Sequence, residues 1–406
     1  MTTYKEKITS MNNRTVSLIN GQKIAGHVLI FIVWLICPMC SAFAQVPDEV
    51  NEDFVIASLL VASPGEALYS RAGHCALRMQ CPEHNLDYVF SYESESISHR
   101  IPAFLSGKLK MGMFAIETAD YISTYGEDGR GVMEYTLNIP IESKRNLWRV
   151  LDNHMMQGAD LPYDYITRGC AYSTLMLLKE GIAPMRIEYG KWPEKFRTLT
   201  RRELTGLQMD SYPWTWAFLN IICNGAINDA HCSLEEKVIM PADLVEVLSA
   251  ARLDGKPLIT SQSALLQTVS VLKERCPITP LIVSLLILVL AIVCALLKNS
   301  TMDYVLLIIQ TALGLLTVYL VFFSDLCCTE WSWHIVPFNP LPLVFWKWRK
   351  HWALPYACII GLWVIVMLVY PHRLTDYPYI VTAVSLMISY LSMICKKRHN
   401  RHITKK

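Results

Sequence analysis

The sequence predicts an α+β, water-facing domain followed by an α-helical transmembrane bundle. Three observations carry this. Apolar residues make up 52% of the 406 positions and charged residues only 18%, with a mean hydropathy of +0.28, whereas a soluble globular chain is about a quarter charged. Most acidic residues lie between positions 45 and 275, after which the chain is apolar with basic clusters at 347–351 and 396–406. Between 45 and 275, short runs of β-formers alternate with amphipathic helical stretches. The hydrophobicity excludes a disordered chain. A formal net charge of +2 supplies no basic field for nucleic acid.

Residues 1–44 read as a signal peptide, with an uncleaved anchor as the alternative. Lys5, Lys7, Arg14 and Lys23 precede an apolar run over 28–37, and Ala42-Phe43-Ala44 gives an A-x-A exit before Gln45. Cys40 sits in no lipobox. Residues 45–275 then form the exported domain.

Within that domain, 54–62 (FVIASLLVA) predicts a strand broken by Ser63-Pro64-Gly65. From His74 the residues alternate in character. Residues 81–86 read as a turn, and 87–92 (DYVFSY) as the return strand. Symmetric pairing about this turn, with partner numbers summing to about 165, sets His74 opposite Ser91. Val132 to Ile139 predicts another strand, and 142–156 an amphipathic helix. A further helix starts at Cys170, where Gly169 permits a sharp turn.

Residues 276–395 predict about five spans, at 279–297, 304–323, 331–346, 356–370 and 379–395. The first two hold 19 and 20 uncharged residues, against the roughly 20 a helix needs to cross hydrocarbon. The third is short and carries three prolines and His334. With the domain outside, five crossings put Lys298, the 347–351 cluster and the 396–406 tail on the cytoplasmic side, as basic loops require. A merely re-entrant third segment would leave the basic tail outside.

The chain has 13 cysteines. Export permits disulfides, with Cys75/Cys81 and Cys223/Cys232 near enough in sequence to pair. No pair outside the leader has zinc-ribbon spacing. Phosphate-loop, H-E-x-x-H and dinucleotide motifs are also missing, so neither metal nor organic cofactor is expected.

Cys170 falls at a helix N-terminus, where peptide dipoles stabilise a thiolate. A nearby imidazole would complete a nucleophilic pair. Taken alone, Cys170 has the burial habit of a core cysteine, and His74 reads equally as a strand histidine. What singles them out is the combination: Gly73-His74 at a strand start and Gly169-Cys170 at a helix start, about a hundred residues apart. Cys75, next to His74, should point to the opposite strand face and serve packing or a disulfide. His84, His99, His154 and His231 read as exposed turn or helix residues.

Three segments resemble the Lnb-type bacterial lipoprotein N-acyltransferases: Leu68-Tyr69-Ser70-x-x-Gly73-His74-x-Ala76-Leu77-Arg78, Asp87-x-Val89-x-x-Tyr92 and Tyr163-x-Tyr165-x4-Cys170-Ala171. Met240-Pro241-Ala242-Asp243-Leu244 and Trp333-His334 through Asn339-Pro340-Leu341 also fit. The likeness spans roughly 54–346. It implies a permuted papain-like (NlpC/P60-like) cysteine domain, with histidine before cysteine in chain order. Two positions depart from that pattern. Gly169 stands where such domains usually have Asn, and Phe90-Ser91-Tyr92-Glu93 stands where Tyr-Asn-Tyr-Gly is usual. Ser91, Glu93 and Asp87 are therefore all candidates to orient His74, with Ser91 the first choice.

The resemblance implies acyl transfer through a Cys170 thioester, from a membrane glycerophospholipid to the α-amine of a diacylglyceryl-cysteine lipoprotein, at the periplasmic face of the inner membrane. His74 would act as base, and the Cys170 N–H with Tyr163, Tyr165 or Ser70 as oxyanion donors. Leu105, Met111, Met113 and Phe114 beside Lys108 and Lys110 read as a headgroup-resting stretch or an ordinary surface segment. Trp214, Trp216 and Phe218 read as an interfacial or a core helix, and His334 and Asn339 as polar groups at the edge of a substrate groove. The rival readings are a cell-wall cysteine hydrolase, a phospholipase or thioesterase with water as acceptor, and a non-enzymatic membrane scaffold.

Overall fold

The computed structural model describes residues 55–94, 100–158, 161–164, 168–222, 232–269, 277–326, 329, 332–369 and 377–403. The leader, Tyr165, His99, His231, Cys223 and the last residues of the basic tail lie outside the described residues.

A seven-stranded antiparallel sheet organises the N-terminal part. Its strands are β1 (Ile56–Ala62), β2 (His74–Cys81), β3 (Leu86–Ser94), β4 (Lys110–Glu117), β5 (Val132–Leu137), β6 (Leu161–Pro162) and, after a small β7–β8 ribbon (Arg252–Leu253, Lys256–Pro257), β9 (Ile259–Leu266). They lie in the order β6-β4-β3-β2-β1-β5-β9. The helices between them are α1 (Ile101–Leu105), α2 (Thr118–Glu127), α3 (Ile141–Met156), α4 (Cys170–Gly181), α5 (Glu194–Thr198), α6 (Arg201–Gln208), α7 (Pro213–Ile222) and α8 (Pro241–Ser249).

Strand alternation divides the sheet between two cores. Cys75, Leu77 and Met79 of β2 point to the face covered by Leu147 and Leu151 of α3, Leu175 and Leu178 of α4, and Leu244 of α8. Ala76, Val89, Leu60 and Val132 point to the other face, which α2 covers with Tyr121 and Tyr125. Each large side chain fully buried this way is worth about 1.5–3 kcal/mol.

The β2–β3 hairpin pairs Leu77 with Phe90 and Cys81 with Leu86, so partner numbers sum to two more than expected. The 3₁₀ turn at Pro82–His84 with left-handed Asn85 takes up the difference. His74 itself pairs with Ala62 of β1. Cys75 and Cys81 occupy opposite parts of β2 and are both free thiols. That pairing is not made.

The C-terminal part is helical: α9 (Pro280–Leu296), α10 (Thr301–Phe323), α11 (Leu341–Val344), α12 (Arg349–Val369) and α13 (Tyr377–Ile403). Among the described residues three helical segments are long and apolar enough to cross a membrane, Thr301–Phe323, Arg349–Val369 and Tyr377–Cys395; Pro280–Leu296 is shorter. The expected helix over 331–346 is not continuous. It consists of a 3₁₀ turn at Trp333–Ile335, the single turn α11 and a second 3₁₀ turn at Trp346–Trp348. Pro337, Pro340 and Pro342 lack the N–H a helix needs and clash with its preceding turn. A polar network replaces the missing helix bonds. Gln310 donates to the Pro337 carbonyl at 2.8 Å, Asn339 donates to Ile335 and Val336 carbonyls, and Tyr390 donates to Gln310 Oε1 at 2.8 Å. At Gly314 a Cβ would lie 2.5–2.7 Å from the Asn339 backbone, so the broken segment packs directly on α10.

The sheet domain sits on one end of these helices. Ser324 Oγ donates to Leu105 O at 2.6 Å and Asp325 N to Ser106 O at 3.0 Å. Tyr379 Oη donates to Ala217 O at 2.6 Å, and Trp214 Nε1 to Ile278 O at 2.8 Å. The opposite end is marked by Arg349, whose guanidinium lies 5.8 Å from the Tyr304 ring centre in the first turn of α10.

Candidate active site

Cys170 is the first residue of α4. Gly169 before it is extended (φ −62°, ψ 157°) and contributes no side-chain cap. The first-turn N–H groups therefore keep no side-chain partner from Gly169, and the positive end of the helix faces the thiol. Cys170 is only partly buried.

His74 opens β2. Gly73, at φ +78°, turns the chain into that strand in a conformation glycine adopts without strain; a Cβ there would meet the Ala62 carbonyl at 2.8 Å. His74, Ser91 and Glu93 share one face of the sheet. His74 Nε2 lies 2.8 Å from Ser91 Oγ, which donates to Glu93 Oε1 at 2.6 Å, so Ser91 accepts from the imidazole. His74 Nε2 also lies 3.5 Å from Glu93 Oε1. Both residues predicted to orient the histidine are thus in place, in series. The third candidate is not. Asp87 is bound by Arg78 at 2.6 and 2.8 Å and by Thr118 at 2.5 Å. Arg78, buried and needing compensation, draws Asp87 and Glu134 to it along the sheet.

The electrostatics follow from these contacts. For Cys170 the largest influence is a hydrogen bond from the Cys75 thiol. With the charge and hydrogen bond of His74 and the Cys75 backbone N–H, it outweighs burial and holds the Cys170 thiol well below its ordinary range. Burial acts to lower His74, but Tyr125, the Cys170 sulfur and Glu93 together raise it well above the usual imidazole value. Burial pushes Glu93 up, but His74, Ser91 and Arg130 bring it below the usual carboxylate range. Both directions favour a thiolate–imidazolium pair over the neutral one. Burial, and then Cys170, raise the Cys75 thiol, so it stays protonated as a donor.

Cys75 is the residue whose part was not read from sequence. It does point to the face opposite His74, but that is the face on which α4 packs. Its sulfur lies 3.7 Å from Thr174 Oγ1, one turn after Cys170. Other expected groups have different employment. Ser70 Oγ donates to Ala67 O, which removes it as an oxyanion donor. His154 is held between Tyr92 and Glu180. Met111 and Met113 are buried in β4, while Phe114 is exposed. His334 is fully buried among Phe338, Trp363 and Tyr379, and Asn339 serves the polar network.

The loops that deliver both reactive residues adjoin the helical part. Ala72 packs against the cluster of Met209, Tyr212, Leu219 and Met240 around the α6–α7 region, and Arg71 stacks on Tyr212 and hydrogen-bonds Thr215. Tyr163, ahead of Cys170, belongs to the apolar cluster that includes Phe104, Leu326 and Phe338. Among the described residues no group of acidic, histidine and cysteine side chains is arranged to hold a metal.

Comparison with known proteins agrees with this architecture. Residues 42–202 match the Lnb N-terminal periplasmic domain, and residues 272–400 match the Lnb transmembrane domain. No curated protein and no solved structure matches the chain. A periplasmic domain with a cysteine–histidine site, joined to apolar helices, defines the class: a membrane enzyme that modifies lipoproteins. Both matches, in this order and over about seven-tenths of the sequence, place the particular chain: it belongs to the Lnb family.

Proposed function

We propose that the protein is a lipoprotein N-acyltransferase, working through a permuted papain-like cysteine domain held on the periplasmic side of the bacterial inner membrane. The observation that carries the reading is the Cys170–His74–Ser91–Glu93 series at the end of the domain that adjoins the membrane helices. Both substrates are lipids or lipid-anchored, so a site next to the bilayer meets them without extracting them.

The Cys170 thiolate attacks an ester carbonyl of a glycerophospholipid. A C–S bond forms as the ester C–O bond breaks, and the leaving lysophospholipid alkoxide takes its proton from His74. The Cys170 backbone N–H, in the unblocked first turn of α4, is placed to stabilise the oxyanion. Neutral His74, oriented by Ser91 and Glu93, then takes a proton from the lipoprotein α-amine as the amine attacks the thioester. A C–N bond forms, the C–S bond breaks, and the thiolate–imidazolium pair is restored.

Five crossings fit the contacts between the ends of the helices. The broken segment starts near Leu326, at the sheet-domain end, and reaches Arg349 beside Tyr304 at the other. The 347–351 cluster and Lys298 then share the cytoplasmic side.

The test is to express wild type and Cys170→Ala in a bacterium depleted of its own lipoprotein N-acyltransferase. The N-terminal peptide of an abundant lipoprotein is then read by mass spectrometry. An added acyl chain with wild type alone is expected. A free-amine diacylated peptide with both, the protein being folded and in the membrane, contradicts the proposal. Rising lysophospholipid in that case marks a phospholipase.

A further inference from the structure

A cavity of about 400 Å³ opens on the helical part at the end remote from the sheet domain, lined by Leu341, Phe345, Trp348, Arg349, Trp352 and Tyr390, among others. We propose that it binds one acyl chain of an anionic glycerophospholipid, with the phosphate at Arg349. This does not rest on the reaction at Cys170.

The walls are almost wholly carbon. Tyr356 and Tyr390 line it, yet their hydroxyls are engaged in the Gln310–Asn339 network, which leaves ring carbon to the cavity. Such a space gives water no partners. Its rim is open on the lipid-facing side, where Leu341, Phe345 and Ile359 are exposed. A free acyl chain of the bilayer is the apolar occupant that can enter from there.

The mouth fixes the headgroup. Among the described residues Arg349 is the one charged side chain lining the cavity, and Lys347 and Lys350 beside it are exposed. Trp348 and Trp352, one turn apart and both exposed, are the amphipathic rings that settle at the headgroup level. A basic cluster at that depth attracts anionic lipid. A guanidinium can offer a phosphate two parallel N–H groups, and a zwitterionic headgroup brings less net attraction to the same cation. The proline-broken segment supplies Leu341 and Phe345 to the cavity wall.

The experiment uses the full protein purified in a mild detergent, with phosphatidylglycerol or phosphatidylcholine added and retention read by native mass spectrometry. One phosphatidylglycerol retained per chain, at least tenfold over phosphatidylcholine, is expected. Leu341→Trp, which fills the cavity, and Arg349→Glu should each lower retention at least tenfold. Lys298→Glu, the same charge change at an exposed residue of the same end, should not. Arg349→Gln replaces Arg349→Glu should the latter fail to fold by gel filtration. Equal retention of the two lipids, unchanged retention in folded Leu341→Trp, or an equal loss in Lys298→Glu overturns the proposal.

Discussion

At the scale of single residues, the reactive pair is set by charge. Thiolate reactivity requires Cys170 ionised, and proton donation requires His74 charged. The first is lost as pH falls through a depressed thiol pKa, the second as pH rises through an elevated imidazole pKa. The pH–rate profile of the proposed reaction should therefore be a plateau between these two limbs, wider than an unperturbed cysteine and histidine would give. Iodoacetamide labelling of Cys170 should stay fast well below the ordinary thiol range and fall more than tenfold near pH 7 in His74→Ala. In Glu93→Gln the alkaline limb of the turnover profile should move to lower pH, because a carboxylate that favours the imidazolium is gone. Asp87→Asn should leave that limb in place and lower stability by about 1–3 kcal/mol in thermal melts, since Arg78 loses its two-point partner. Burial raises Asp87, but Arg78 and Thr118 more than offset this and depress it; its stabilisation is thus present above the unfolded carboxylate value and lost as pH falls through the depressed one. That Cys170 opens a helix and that His74, Ser91 and Glu93 meet on the sheet was legible, because glycine placement and strand alternation are local. Cys75 was not, because which helix covers a strand face is decided by packing over a hundred residues, and Asp87 was misplaced because Arg78's demand for a partner leaves no local signature.

At the scale of elements, the strands and helices that carry the site began within two residues of their expected positions, since each has a clear period and a glycine or proline stop. The hairpin register slipped by two because a left-handed Asn85 closes the turn asymmetrically. The segment over 331–346 shows what apolar length cannot reveal. Its prolines could be counted, but Gln310, Tyr356 and Tyr390, which hold the broken backbone, lie on other helices. Small residues let such backbones approach. Gly314→Leu should force the Asn339 backbone off α10 and lower the melting midpoint in detergent by several degrees. Leucine at the lipid-exposed Ile308 should leave it unchanged.

At the scale of the whole molecule, hydropathy and charge showed two regimes, and the structure adds how they meet. α1, the α6–α7 region and the loop after β6 rest against the helices, and the same segments position the loops carrying His74 and Cys170. In the proposed reaction this sets the thiol at the edge of the bilayer, where an acyl donor and a lipid-anchored acceptor would both be held. Five crossings would set positions 298 and 347 on the side of the membrane opposite the sheet domain. Single cysteines there, in a chain whose native exposed cysteines are replaced, should label with a membrane-impermeant maleimide only after the inner membrane is opened. A cysteine at Glu83 should label without opening.

The central claim is that the acyl chain passes through Cys170. The most direct measurement is the intact mass of the purified protein after incubation with a phospholipid of defined chains and no acceptor, quenched in acid. Wild type should gain the mass of one acyl group minus one proton, removable with neutral hydroxylamine, and Cys170→Ala should gain none. No adduct on wild type while turnover proceeds, or the same adduct on Cys170→Ala, would contradict the account.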